Sequence, residues 1–252
     1  MKNRIFLSIL IIILISCSSN ESDQKILKNI PVLIQNDGTS FTRLFGYEDK
    51  KIIKTDRTNI VPYKIGDYAD LFRYDSFNRI KNFTTFDNTP IIFEIKYEND
   101  KITSFKSRHN VDTLRIDLTY DTDKIIEKHY WKFLGSENYE PSSQTVLTFS
   151  NGNIIKKVVG DQDGDQQLTE YYYDDKKSPF SNIDDFQNFQ LIFTSSEGYW
   201  YWISELFLGK NNLIKKEYTW LPTGEKTTTE YLNIYNTNNY PTNINDMIIE
   251  YE

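Results

Sequence analysis

Apolar and polar positions alternate along much of this chain. In "LRIDLTYD", Leu114, Ile116, Leu118 and Tyr120 alternate with Arg115, Asp117 and Thr119. In "IIFEIKYEND", Ile91, Phe93, Ile95 and Tyr97 alternate with polar residues, apart from Ile92. A period of two puts one set of side chains on a buried face and the other in water, the pattern of an antiparallel sheet. Each such stretch ends in Tyr or Phe, passes through a few Asp, Asn, Lys or Gly residues, and reopens on an aliphatic residue. The anchoring aromatics are Tyr47, Tyr74, Tyr97, Tyr120, Phe149, Tyr173, Phe207 and Tyr235, separated by 23 to 34 residues. A spacing near 25 accommodates two strands of eight to ten residues and two turns, so each unit reads as a β-hairpin. Asn99-Asp100, Asp121 to Asp123 and Asn151-Gly152 supply residues that tolerate the positive φ of tight hairpins. An isolated hairpin is marginal in water, so the units must lie side by side.

The expected fold is therefore all-β: an antiparallel meander of repeated β-hairpins forming a curved or partly rolled sheet. "KIIEKHYWKF" and "GYWYWISELF" carry large apolar residues on both faces, which predicts curling there so that both faces find cover. "SPFSNIDDFQNF" lacks strand alternation and predicts a short helix or loop near 178–190, packed over an open end. Aromatic residues at 15%, with 18 Tyr and only ten Gly, agree with β structure.

The hairpin units resemble the YD-type (tyrosine–aspartate) repeats of Bacteroidota lipoproteins of unknown function. Tyr74-Asp75, Tyr120-Asp121 and Tyr173-Asp174 carry the resemblance, with "YDDKKSPF" and "YPTNI" similar in wording. It spans roughly residues 41 to 252 and implies an architecture rather than an activity.

The N-terminus has a different pattern. Lys2 and Arg4 precede an apolar run from Ile5 to Ile15, eleven residues against the roughly twenty that an α-helix needs to cross a bilayer. A basic start and a short apolar core read as a secretory signal. Leu14-Ile15-Ser16 followed by Cys17 resembles the lipobox of bacterial lipoproteins. Cys17 is the sole cysteine, so a disulfide within the chain is ruled out, and no second Cys or His lies near enough for a metal site. The resemblance implies residues 1–16 as a lipoprotein signal peptide, a lipidated Cys17 and a polar tether over 17–40, and one β-repeat domain over 41–252. Within the tether, Ser18 to Asp23 reads either as a solvated spacer or as one of the short acidic export signals of outward-facing lipoproteins, which it resembles. The expected location is the bacterial outer membrane, lipid-anchored, on its periplasmic side or at the cell surface.

The formal net charge is −7, and loss of Lys2 and Arg4 leaves 27 basic against 36 acidic residues, about −9. Such a chain repels phosphates and anionic head groups, which argues against nucleic acid as a partner. "GDQDGDQQLTEYY" places Asp161, Asp163 and Asp165 at alternate positions, as in a calcium loop. The match stops there: Gln166 stands where such a loop needs Gly, and Tyr172 where it needs a bidentate Glu, so an acidic hairpin tip is the better reading. Tyr199, Trp200, Tyr201 and Trp202 form an aromatic cluster suited either to a core or to stacking on a ligand such as a sugar.

His109 and His129 are the only histidines, and neither neighbours a recognisable Ser or Cys arrangement. His129 shares strand parity with Glu127 and Trp131, the ordinary place for a half-exposed His. No phosphate-cradling glycine loop and no distinctive carboxylate pair stands out. The pattern points away from an enzyme and from any cofactor. It favours a lipid-anchored binding or interaction module meeting an envelope protein or a glycan, with a structural or accessory subunit of an envelope complex as the alternative and an enzyme acting on glycans last.

Overall fold

The computed structural model describes residues 31–36, 41–48, 50–59, 69–84, 89–161, 164, 166–195 and 205–251. In chain order its strands are β1 (Pro31–Asn36), β2 (Phe41–Glu48), β3 (Lys51–Asn59), β4 (Ala69–Tyr74), β5 (Ile80–Thr84), β6 (Pro90–Glu98), β7 (Lys101–His109), β8 (Asp112–Tyr120) and β9 (Lys124–Lys132). They continue with β10 (Glu140–Ser150), β11 (Asn153–Asp161), β12 (Gln166–Lys177), β13 (Asn211–Trp220), β14 (Glu225–Glu230), β15 (Asn233–Tyr235), β16 (Pro241–Ile244) and β17 (Met247–Tyr251). Among the described residues, one helix, α1 (Phe186–Ser195), and a 3-10 turn, Glu205–Phe207, lie between β12 and β13.

Every strand from β2 to β14 pairs antiparallel with the next. The small set β15, β16 and β17 pairs in the same way, and β1 lies between β17 and β2. No ladder joins β14 to β15 among the described residues. Instead one bent segment runs through Tyr231 and Leu232. The Tyr231 N–H donates to the Ile214 carbonyl of β13 (2.9 Å), and the Leu232 carbonyl accepts from the Asn245 N–H (2.8 Å). Each bond continues the neighbouring hairpin, so β14 and β15 are joined through this bend of the chain, and no closed barrel forms among the described residues. The meander of hairpins is the fold that the alternation predicts.

The concave face is apolar because the alternation makes it so. Leu114, Ile116 and Leu118 of β8 are buried, while Thr119 is exposed. Ile52, Ile80, Ile92, Ile102, Phe105 and Leu147 extend the same layer around the roll. Each fully buried side chain of this size contributes about 1.5–3 kcal/mol. Asn99 and Asp100 both adopt positive φ (49° and 62°), as do Asn151 and Gly152 (53° and 81°), the requirement of two-residue hairpins. Asp121 to Asp123 does not. That turn keeps negative φ and closes with the Asp121 N–H on the Lys124 carbonyl (2.9 Å).

Helix α1 enters from the end of the roll where these hairpins turn. Asp185, at positive φ just before the helix, gives its carbonyl to the Phe189 N–H (3.0 Å) and its carboxylate to the Ile80 N–H (3.3 Å). Asn188 donates to the Asp100 carbonyl (3.3 Å) and Gln190 approaches that of Gly152 (3.5 Å). Phe189 and Phe193 pack together at 4.5 Å with their rings tilted and reach Phe72 of β4, while Phe193 also meets Phe83 of β5. The segment 178–190 expected to cover an open end does so, but its helix begins at Phe186 and runs to Ser195.

Three expectations are corrected. "LFLGKNNLI" is not a hairpin: Phe207 is fully buried in the 3-10 turn, and the chain goes straight on into β13. Gly209 is there for close approach, since a Cβ would sit 2.5 Å from the Asn211 carbonyl oxygen and from the Tyr173 ring. Phe93 does not share a face with Tyr97. A bulge between Phe93 and Lys96, with Glu94 at φ 50°, puts Ile92 in the core and leaves Phe93 under the Arg108 guanidinium. The sheet also starts upstream of residue 41, inside the stretch read as tether, because Ile34 of β1 is buried between β17 and β2.

Candidate functional site

Cys17 and Tyr199, Trp200, Tyr201 and Trp202 lie outside the described residues. Of the acidic trio, Asp161 ends β11 opposite Ser143 of β10, and Asp163 and Asp165 lie outside the described residues. The connection itself is a hairpin, since Gly160 and Gln166 pair across it. Asp161 is therefore the one nominated residue among those described, and it is placed by its strand pairing.

The structure gives the Tyr-Asp pairs a constructional role. Each tyrosine faces inward and reaches back one hairpin. Tyr74 donates to the Ile52 carbonyl (3.0 Å), Tyr97 to that of Ile80 (2.6 Å), Tyr120 to that of Ile102 (2.8 Å) and Tyr173 to that of Ile154 (2.8 Å). Burial, helped by the Glu127 carboxylate, pushes the Tyr120 phenol up to about 12, so it remains a neutral donor. The following aspartate caps the turn. Asp75 accepts from the N–H groups of Phe77 and Arg79 (2.9 and 3.0 Å) and from the Arg79 guanidinium (2.8 Å). Desolvation pushes its carboxyl up, but these donors outweigh it and hold the group below its usual range. Asp174 likewise accepts from the N–H groups of Lys176 and Asn212 (2.9 and 3.2 Å).

One polar cluster lies inside the roll. Glu127 and His129, on the inner face of β9, are 1% and 2% exposed, which corrects the half-exposed reading of His129. His129 Nε2 lies 3.3 Å from one Glu127 oxygen, and the Ser195 hydroxyl of α1 bonds the other. Ser195 Oγ is also 2.7 Å from the Leu191 carbonyl. The carboxylate stands between serine and histidine, so the imidazole is not placed to take the serine proton, the contact on which nucleophilic serine chemistry depends. The cluster ties α1 to the sheet. Sequence reasoning missed it because Ser195 is far away along the chain.

The rim opposite the α1 end exposes three apolar side chains. Val111, in the β7–β8 turn, and Phe133 and Leu134, between β9 and β10, are 64%, 49% and 75% exposed. The two turns are held together by the Leu134 N–H on the Asp112 carboxylate (2.9 Å), and Phe133 stacks on Trp131 at 6.4 Å and 16°. An adjacent Phe-Leu pair just before Gly135, in an otherwise polar connection, was the sequence signal.

The class of protein these features define is a rolled antiparallel β-meander with an internal helical plug. No family model matches the chain, and no curated protein matches it. Among solved structures it is similar to a porin-like protein from Bacteroides vulgatus, with a TM-score of 0.55 and 13% identity over 88% of this chain and 99% of that one. At that identity the likeness concerns the fold.

Proposed function

We propose that this chain is a lipid-anchored envelope protein, held by acyl chains on Cys17, whose rolled sheet is an interaction module for another envelope protein. The observation that carries the reading is the exposed rim of Val111, Phe133 and Leu134, braced by Asp112 and Trp131. A contiguous apolar surface rimmed by polar residues marks a partner site. The acidic chain disfavours an anionic membrane surface as that partner and leaves protein as the better fit.

Two further features support anchoring over spanning. The outward face carries exposed Lys96, Glu98, Lys128 and Gln144, whereas a barrel in hydrocarbon turns apolar side chains outward. The apolar leader ending at Cys17 supplies an attachment, since acyl chains contribute about 0.8 kcal/mol per buried methylene. The resemblance of the Tyr-Asp hairpins to those of Bacteroidota lipoproteins points the same way.

The test is a photo-crosslinker at Leu134 in intact cells, beside palmitate labelling. Labelling should vanish in Cys17→Ser, and a discrete protein adduct should form and be lost in Phe133→Ser. Normal labelling of Cys17→Ser would remove the anchor. Labelling of the native chain with no adduct at Leu134 would leave a passive accessory scaffold.

A further inference from the structure

β14 is paired along one side only. It runs beside β13 in unbroken register from Lys215↔Glu230 to Trp220↔Glu225, and this is its one ladder among the described residues. All six of its side chains are exposed, so nothing packs over them. The Tyr231 N–H donates to the Ile214 carbonyl of β13, and main-chain groups alternate in direction along a strand. Thr229, Thr227 and Glu225 therefore turn theirs to β13 as well, while Lys226, Thr228 and Glu230 turn theirs outward. The open row ends at the bend, where Leu232 bonds Asn245.

Such a row of free N–H and C=O groups is a template for a further strand. Natural edges are commonly blunted by Pro, by a bulge or by a covering loop, and β14 carries none of these. Three successive threonines, Thr227 to Thr229, favour the extended conformation. The charges beside them point to the occupant. An antiparallel partner must set outward-turned residues against outward-turned residues. For a second copy of β14, the register centred on Thr228 does so, and it places Lys226 opposite Glu230 on both sides of the centre. Shifting that register one permitted step in either direction faces both charges with uncharged residues. Within one chain Lys226 already reaches Glu217 (2.7 Å) and stays half exposed, while Glu230 has no ion pair among the described residues. A second copy supplies one.

We propose that β14 is a self-pairing edge, through which two copies of this chain join strand to strand about a two-fold axis at Thr228. The two sheets then run on as one. The interface is isologous, so each contact occurs twice and each charge pair counts double. Neither the apolar rim nor Cys17 takes part, and either this pairing or the proposed partner site can fail without the other.

The test is sedimentation of the full mature chain carrying Cys17→Ser, which removes the one thiol that could link copies by a disulfide. A monomer–dimer equilibrium is expected. Lys226→Glu and Glu230→Lys each set like charges opposite one another twice, and each should weaken dimerisation about tenfold. The double variant exchanges the two charges and should restore it, which a misfolded chain would not do. Phe133→Ser should leave the equilibrium unchanged. In the same background Thr228→Cys, on the axis, should oxidise to a linked dimer, and Thr223→Cys, in the exposed β13–β14 turn, should not. A chain that stays monomeric up to millimolar concentration, a dimer indifferent to both reversals, or a double variant no better than either single one would overturn the pairing.

Discussion

The phenol of Tyr97 donates to the main-chain carbonyl of Ile80, 2.6 Å away in the preceding hairpin. Ile80 pairs with Tyr74, the corresponding tyrosine one unit earlier. The same step repeats: Ile102 accepts from Tyr120 and itself pairs with Tyr97. A sheet needs only its ladders to hold neighbouring strands. These bonds add a second link between units, made by side chains at the end where the hairpins turn.

Removing one such hydroxyl should leave the ring in place and the carbonyl without its donor. Tyr97→Phe should cost about 1–2 kcal/mol in urea unfolding, the range for a lost hydrogen bond to a part-buried group. The reverse change has a natural position. Phe149 occupies the tyrosine place in its unit, and Ile125, one hairpin back, stands where the acceptor belongs. Phe149→Tyr should therefore gain up to about 1 kcal/mol. A loss would show that the Ile125 carbonyl is not available in the way its register suggests.

Strand parity predicts a contrast between neighbours on β8. Tyr120 packs against the core and Thr119 is exposed. Tyr120→Ala should cost about 3 kcal/mol as a large aromatic truncation, and Thr119→Ala under about 0.5 kcal/mol. Equal losses in matched urea titrations would mean that the strand is covered on both faces.

The plug should be as important as the sheet. Phe193 meets Phe189 at 4.5 Å and Phe72 and Phe83 at 6.0 and 6.1 Å, so Phe193→Ala opens a cavity where helix and sheet meet. A cost of about 3–5 kcal/mol is expected, against under about 0.5 kcal/mol for Leu134→Ser on the rim. Thermal melts of the two variants give the comparison directly.

Acid should release a surface link between β13 and β14. Hydrogen bonds from Lys226, Tyr172 and Lys215 hold the Glu217 carboxyl down at about 2. A depressed folded value means that the contribution is complete above the unfolded value of about 4.3 and disappears as pH falls towards 2. Carboxyl-carbon NMR should place the Glu217 titration below that of the other glutamates. Glu217→Gln should flatten the stability profile in that window.

The hairpins were legible because their causes are local. Period-two alternation, Asn99-Asp100 and Asn151-Gly152 act within a few residues, and the structure uses them as their chemistry dictates. What was not legible depends on partners elsewhere. The Glu94 bulge reverses the parity of Phe93 and leaves no mark in the apolar pattern. Phe207 sits in a sequence that looks like the aromatic ends of strands, yet the crossover around α1 makes it a core residue. Glu127 and His129 look like surface positions until Ser195 arrives from the plug. β1 was missed because one of its two neighbours is β17, at the other end of the chain.

The tyrosine links also have a direction. In each of the four, the donor comes later in the chain than the acceptor, by 22, 17, 18 and 19 residues. A hairpin delivered N-terminus first therefore finds the carbonyl it needs already in place, and no unit has to wait for the one behind it. Loop closures this short keep the entropic barrier to each step low. Two events cannot follow that order: the plug must return to turns as early as Lys50, and β17 must come back to β1. A chain that emerges N-terminus first could thus lay down most of its wall as it appears, leaving its first strand to wait for the arrival of its last.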